Sequence, residues 1–142
     1  MSDILLADFL QISLKEMNVK EVKGKNHNPR ILQYHNATSL KASTDEIAWC
    51  SAFANWVVKK AGLTGTNSAR ARSWETWGEE LKKPIPGCII VFSRGSNPYL
   101  GHVAFYLYET SKYIYCIGGN QSDSVSIARY PKSRVVCYRT SS

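Results

Sequence analysis

The stretch DEIAWCSAFANWVVKKAG, residues 45–62, sets a cysteine at the point where a helical pattern begins. Phe53, Trp56, Val57 and Ala61 recur at helical spacing and form one apolar face, and Gly62 is a natural stop. A helix over 50–61 is therefore expected, with Thr44 or Asp45 ordering its entry. Cysteine is most often a buried, inert residue. At a helix N-terminus the positive end of the helix dipole favours the thiolate, and an adjacent imidazole favours it further. The rest of the chain decides whether anything reaches Cys50.

After KKPIPG (82–87) the pattern changes. CIIVFS (88–93), HVAFYLYE (102–109), YIYCIGG (113–119), SVSIARY (124–130) and RVVCYRT (134–140) are five strand-like runs separated by turn-forming residues. Connections this short exclude parallel crossovers and indicate an antiparallel meander. Upstream, ILLADFLQISLKEM (4–17) reads as an amphipathic helix ending near Asn18, with Leu6, Leu10, Leu14 and Met17 as its core-facing stripe. Residues 19–43 read as an irregular lobe with a short helix over 30–35, where Pro29 suits a first helical position. A third helix is expected over 68–81, with Ala71, Trp74, Trp77 and Leu81 on one face. Helices followed by strands give an α+β class. The chain reads as one domain over 1–142, with a helical lobe over about 1–82 and an antiparallel sheet over about 86–140.

At 142 residues, 44% hydrophobic and 11% aromatic, the chain can bury a core without staples. No apolar run reaches the roughly 20 residues of a membrane span, so no membrane insertion is expected. Asp3 and Asp8 interrupt what a secretory signal would need. The expectation is a protein made in the cytoplasm without a signal of its own, delivered by other means if it acts outside. The net charge of +7 is dispersed rather than gathered in a run. It favours polyanions in general, while no zinc-finger spacing or basic-aromatic motif points to nucleic acid. The four cysteines, 50, 88, 116 and 137, contain no CxxC pair. Cys88, Cys116 and Cys137 fall inside apolar runs and read as core.

Three histidines could serve Cys50. His27 and His35 lie in the polar N-terminal lobe and are expected on the surface. His102 opens a strand directly after Gly101, which leaves the approach uncluttered. A thiol–imidazole pair also needs a group that holds the far ring nitrogen, a role Asn or Asp fills in thiol hydrolases. Asn120 ends the strand that follows that of His102, with Gln121 and Asp123 as nearby alternatives. Helix-start cysteine, strand-opening histidine and a polar residue on the next strand, in that order, follow the logic of papain-like thiol chemistry.

WCSAFANWVVKKAG, PIPGCIIVF, GHVAFYLYE and GGNQSDSVSIARYP resemble the NlpC-type and CHAP cysteine peptidase superfamily, in its small CHAP-like phage and bacterial branch. The resemblance continues upstream through LKEMNVKEVKGKNHNPRILQYH and covers about residues 10–140. It implies a papain-like fold, with N-terminal helices packed on a small antiparallel sheet of about five strands. It also implies cleavage of amide bonds in peptidoglycan, with Cys50 as nucleophile, His102 as general base and Asn120 as third member. Trp49, Glu21, Asn28, Tyr34 and Gln121 are the residues expected to line the substrate groove, although Trp49 equally suits a core anchor. Where the family has PGD before its first strand, this chain has PGC, with Cys88 outside the catalytic set. It carries no Asp-rich calcium loop, so neither metal nor other cofactor is expected.

With no wall-binding repeat attached, targeting would fall to the domain itself. Action at the cell wall or periplasm would follow release as a phage lysin or injection as an antibacterial effector, the latter implying an immunity protein. Two other classes fit the same residues. One is an acyltransferase or amidase acting on a non-wall amide; the other is a non-catalytic basic module that binds wall or nucleic acid.

Overall fold

A computed structural model describes residues 2–22, 28–38 and 49–141, the side chains from Leu6 onward. Helix α1 spans Ser2–Lys15, α2 Pro29–His35 and α3 Cys50–Lys60. A 3-10 helix, Ala71–Thr76, precedes six strands: β1 Glu79–Leu81, β2 Ile89–Ser93, β3 Gly101–Glu109, β4 Tyr113–Gln121, β5 Ser124–Pro131 and β6 Val135–Thr140. They form one sheet in the order β1-β6-β2-β3-β4-β5, antiparallel at every pairing. The α+β expectation stands, with six strands where five were expected.

The added strand comes out of the third expected helix. Only Ala71–Thr76 is helical, and it is 3-10. Gly78 then takes a positive φ of 59°, and a Cβ there would lie 1.9 Å from Thr140 O. Arg139 closes the corner, its Nε donating to Trp77 O at 2.7 Å and its Nη2 to Gly78 O at 3.1 Å. Trp74 and Trp77 share a face as expected, but each is fixed by its indole N–H, on Ser51 Oγ and Thr64 O respectively. A further correction falls on α1. Leu6 is buried and Leu10 and Met17 pack against the core as expected, but Leu14 is 49% exposed, and Phe9 and Ser13 are buried in its place, with Glu16 buried just beyond the helix. Ser13 is accommodated because its hydroxyl donates to Phe9 O at 2.7 Å.

The sheet is strongly curled. Four strand spacings separate β5 from β6, about 19 Å in a flat sheet. The link between them is the short 3-10 turn Lys132–Arg134, and four Cα steps cannot exceed about 15 Å. Curling also lets Tyr130 of β5 meet Phe92 of β2, with ring centroids 4.8 Å apart.

Helix α3 fills the concavity over β3 and β4. Cys50 through Asn55, with Val57 and Val58, are all buried. Small residues at 51, 52 and 54 let the helix sit close to the strands. The approach is tightest at Gly119, where a Cβ would meet Phe53 Cβ at 2.7 Å and the Trp49 ring at 2.8 Å. Tyr34 of α2 packs its ring on Trp49, Phe53 and Trp56, and its hydroxyl donates to Glu16 at 2.7 Å. We predict that Gly119→Ala destabilises the protein by about 1–3 kcal/mol, the usual cost of overpacking. Urea denaturation followed by tryptophan fluorescence checks this.

Candidate active site

Cys50 is the first residue of α3, 6% exposed. Its N-cap, Trp49, offers no side-chain acceptor to the helix end, and the first turn holds no acidic residue, so neither offsets the positive pole. Thr44 and Asp45, expected at this entry, lie outside the described residues. His102 enters from β3 and is 2% exposed. Its ring packs against both Phe92 and Tyr130, with centroids 6.2 and 5.1 Å away.

Burial and three neighbouring groups set the acidity of Cys50. Burial pushes its thiol up. The charge of and hydrogen bond to His102, the Val103 N–H and the charge of Arg94 pull it down, and together they win: the thiol lies below its ordinary value. No imidazole acts on the other three thiols, and burial wins there. Burial pushes Cys88 and Cys137 up to about 11 and Cys116 up to about 12. Only Cys50 is tuned toward the nucleophilic thiolate.

The far nitrogen of His102, Nε2, meets Gln121 Oε1 at 2.8 Å. Gln121 Nε2 donates to Ser126 O at 2.6 Å, which turns Oε1 toward the ring. His102 Nε2–H is then the donor, and Nδ1 is the nitrogen left for Cys50. Ser124 Oγ and Ser126 Oγ both donate to Gln121 O, at 3.1 and 2.9 Å, so the backbone there is held as well.

Gln121 occupies this position because β4 carries a bulge. The register with β5 shifts between the pairs Gly118–Ser126 and Gln121–Ser124, which puts one extra residue on β4. Asn120 takes a left-handed φ of 58° at the shift. Strict alternation from Cys116 would send Asn120 to the face of His102; the extra residue sends Gln121 instead. Asp123 lies in the turn beyond, its backbone O accepting from Glu21 N at 2.8 Å.

The residues expected to line a groove have other surroundings. Tyr34 and Trp49 are fully buried, and Gln121 is 2% exposed. Asn28 caps α2, accepting from Arg30 N and donating to Lys20 O. Glu21 accepts from Trp49 Nε1 at 2.8 Å, so it braces the residue before Cys50. His35 is buried rather than exposed, and His27 lies outside the described residues. Among the described residues, no group of three His, Cys, Asp or Glu side chains is disposed to hold a metal. No described helix is long and apolar enough to cross a membrane.

Compared with known protein families, residues 42–120 match the CHAP domain over more than half of the chain. The chain belongs to the CHAP domain family. CHAP domains are generally cysteine amidases or endopeptidases that act on peptidoglycan. The CHAP match includes Cys50, His102 and Asn120 and stops one residue before Gln121. No curated protein matches the chain significantly.

The acidity of Cys50 gives a direct check. Iodoacetamide alkylation of Cys50, followed against pH by mass spectrometry, is expected to show a midpoint below the roughly 8.5 of free cysteine. His102→Ala removes the main compensation and leaves burial, so the midpoint moves up. At pH 7 the alkylation rate then falls by about tenfold or more, one decade per unit.

Proposed function

We propose that this CHAP domain hydrolyses an amide bond of the peptidoglycan peptide, through a thiol mechanism run by Cys50, His102 and Gln121. The observation that carries the reading is that Cys50 alone among four buried thiols is held acidic, by an imidazole whose other nitrogen is fixed. The dispersed charge of +7 is consistent with an acidic wall polymer. Residues 1–142 act as one catalytic unit in this proposal.

His102 Nδ1 takes the proton of the Cys50 thiol, and the thiolate attacks the amide carbonyl carbon. Backbone N–H groups at the start of α3 stabilise the oxyanion. The C–N bond breaks as His102 returns its proton to the leaving amine, which leaves a thioester on Cys50. Water, deprotonated by His102, adds to the thioester; the acid departs and the proton returns to sulfur. Gln121 holds His102 in one tautomer throughout and is a positioning residue, the role that Asn120 fills in the sequence reading.

Purified peptidoglycan digested with wild type is expected to release muropeptides whose masses name the bond, while Cys50→Ala releases none. Intact wall from both would sink the wall-hydrolase reading and turn attention to acyl transfer on other amides. Gln121→Ala is expected to lower kcat by roughly 10²-fold. Asn120→Gly preserves the left-handed backbone and should change kcat less than about threefold. The reverse ranking would return the third position to Asn120.

A further inference from the structure

Two segments on the His102 side of the site carry arginine and no acid. Residues 66–74 (TNSARARSW) and 94–100 (RGSNPYL) contain Arg70, Arg72 and Arg94, with neither Asp nor Glu. Both are fastened to the catalytic scaffold. Ser51, the residue after the nucleophile, donates its hydroxyl to Ser68 O at 2.7 Å. Arg72 Nε donates to Leu100 O at 2.8 Å, tying the two segments together. At the other end of the loop, Ser93 pairs with Gly101, and Arg134 Nε donates to Ser93 O at 3.0 Å. Arg94 follows immediately. The loop is thus held at both ends, while Tyr99 is 69% exposed at its tip.

The cations around this loop differ in what they already hold. Arg72 pairs with Glu75 at 3.1 Å. Arg70 lies over the Tyr99 ring at 5.1 Å and Arg134 over the Tyr130 ring at 5.0 Å. Arg94 is exposed and makes no side-chain hydrogen bond, ion pair or ring contact with any described residue. Its strand neighbourhood places it at the mouth: Phe92, two residues earlier, pairs with His102 and stacks on its ring. Its charge reaches both Cys50 and Tyr130. A guanidinium presents a planar fork that matches a carboxylate in two parallel hydrogen bonds. An unpaired one on a fixed loop beside a nucleophile needs little rearrangement to receive such a group.

We propose that Arg94 is a specificity-determining residue that receives a free carboxylate of the substrate beside the scissile amide. The domain then prefers acidic peptides over their amidated counterparts. This rests on the amide-hydrolase reading above. The competing role for Arg94 is to stabilise the Cys50 thiolate without touching substrate.

The test uses a synthetic peptide that spans the bond cut in wild-type digestion, with the carboxylate beside that bond free or converted to carboxamide. Wild type is expected to favour the acid by about 10–100-fold in kcat/KM, the worth of a charged hydrogen bond, chiefly through KM. Arg94→Gln should reduce that preference to within about threefold, and Arg94→Lys should retain part of it. Equal cleavage of both peptides by wild type overturns the proposal. So does an Arg94→Gln variant that slows both equally while raising the alkylation midpoint of Cys50, since that is the thiolate role. If no wall peptide is cleaved at all, the hydrolase reading fails separately. Calorimetric binding of a synthetic acid and amide stem-peptide pair to Cys50→Ala, with and without Arg94→Gln, then decides. Arg94-dependent preference for the acid supports the proposal, and its absence overturns it.

Discussion

The contact between α3 and β4 at Gly119 is the constraint on which the rest of the site depends. A side chain there would collide with Phe53 and with Trp49. Without one, the helix drops onto the sheet, and its first residue arrives beside the start of β3. Cys50 and His102 are brought together by this packing rather than by any direct tether. Trp49 has a place in the same contact: its ring rests on β4, and its N–H is held by Glu21. Core packing and catalytic geometry are therefore one problem, solved by the same few residues.

The chemistry rests on a contest between burial and charge. Enclosing a thiol favours its neutral form, as Cys88, Cys116 and Cys137 all show. Cys50 is enclosed as well, yet the imidazole, a backbone N–H and a nearby arginine reverse the outcome. The imidazole can act this way because its other nitrogen is committed to Gln121, whose amide is oriented by Ser126 O. The links from His102 to Gln121 and from Gln121 to Ser126 O are short, and Cys50, His102 and Gln121 are nearly sealed from water, which strengthens the interactions among them.

The class, the three principal helix positions and the strand runs were legible because they follow from periodicity and punctuation. Cys50 and His102 were legible because each opens an element. Gln121 was not distinguishable from Asn120, because a bulge changes facing without leaving a mark in hydrophobic alternation. The pair Gly118–Gly119 was the available signal, since glycine inside a strand accompanies bulges and close approaches. The region 68–81 misled for another reason. Two tryptophans three residues apart suit a helix, but here hydrogen bonds to their indoles fix them, and Gly78 turns the chain into a strand. The exposure of Leu14 was not legible because a hydrogen-bonded serine, Ser13, takes a buried place on the same helix.

The position of β6 has a consequence for how the protein comes into being. The strand made last, Val135–Thr140, is inserted between β1 and β2, which are made some fifty residues earlier. Until it emerges from the ribosome, β1 has no partner and β2 has an open edge. Tyr130 and Arg134, which back His102 and pin Ser93, come from the same late segment. A nascent chain thus carries Cys50 for most of its synthesis without the frame around His102. Assembly by such distant pairing is slow compared with local helix formation. In its order of synthesis the protein makes Cys50 well before the strand pairing that completes the frame around His102.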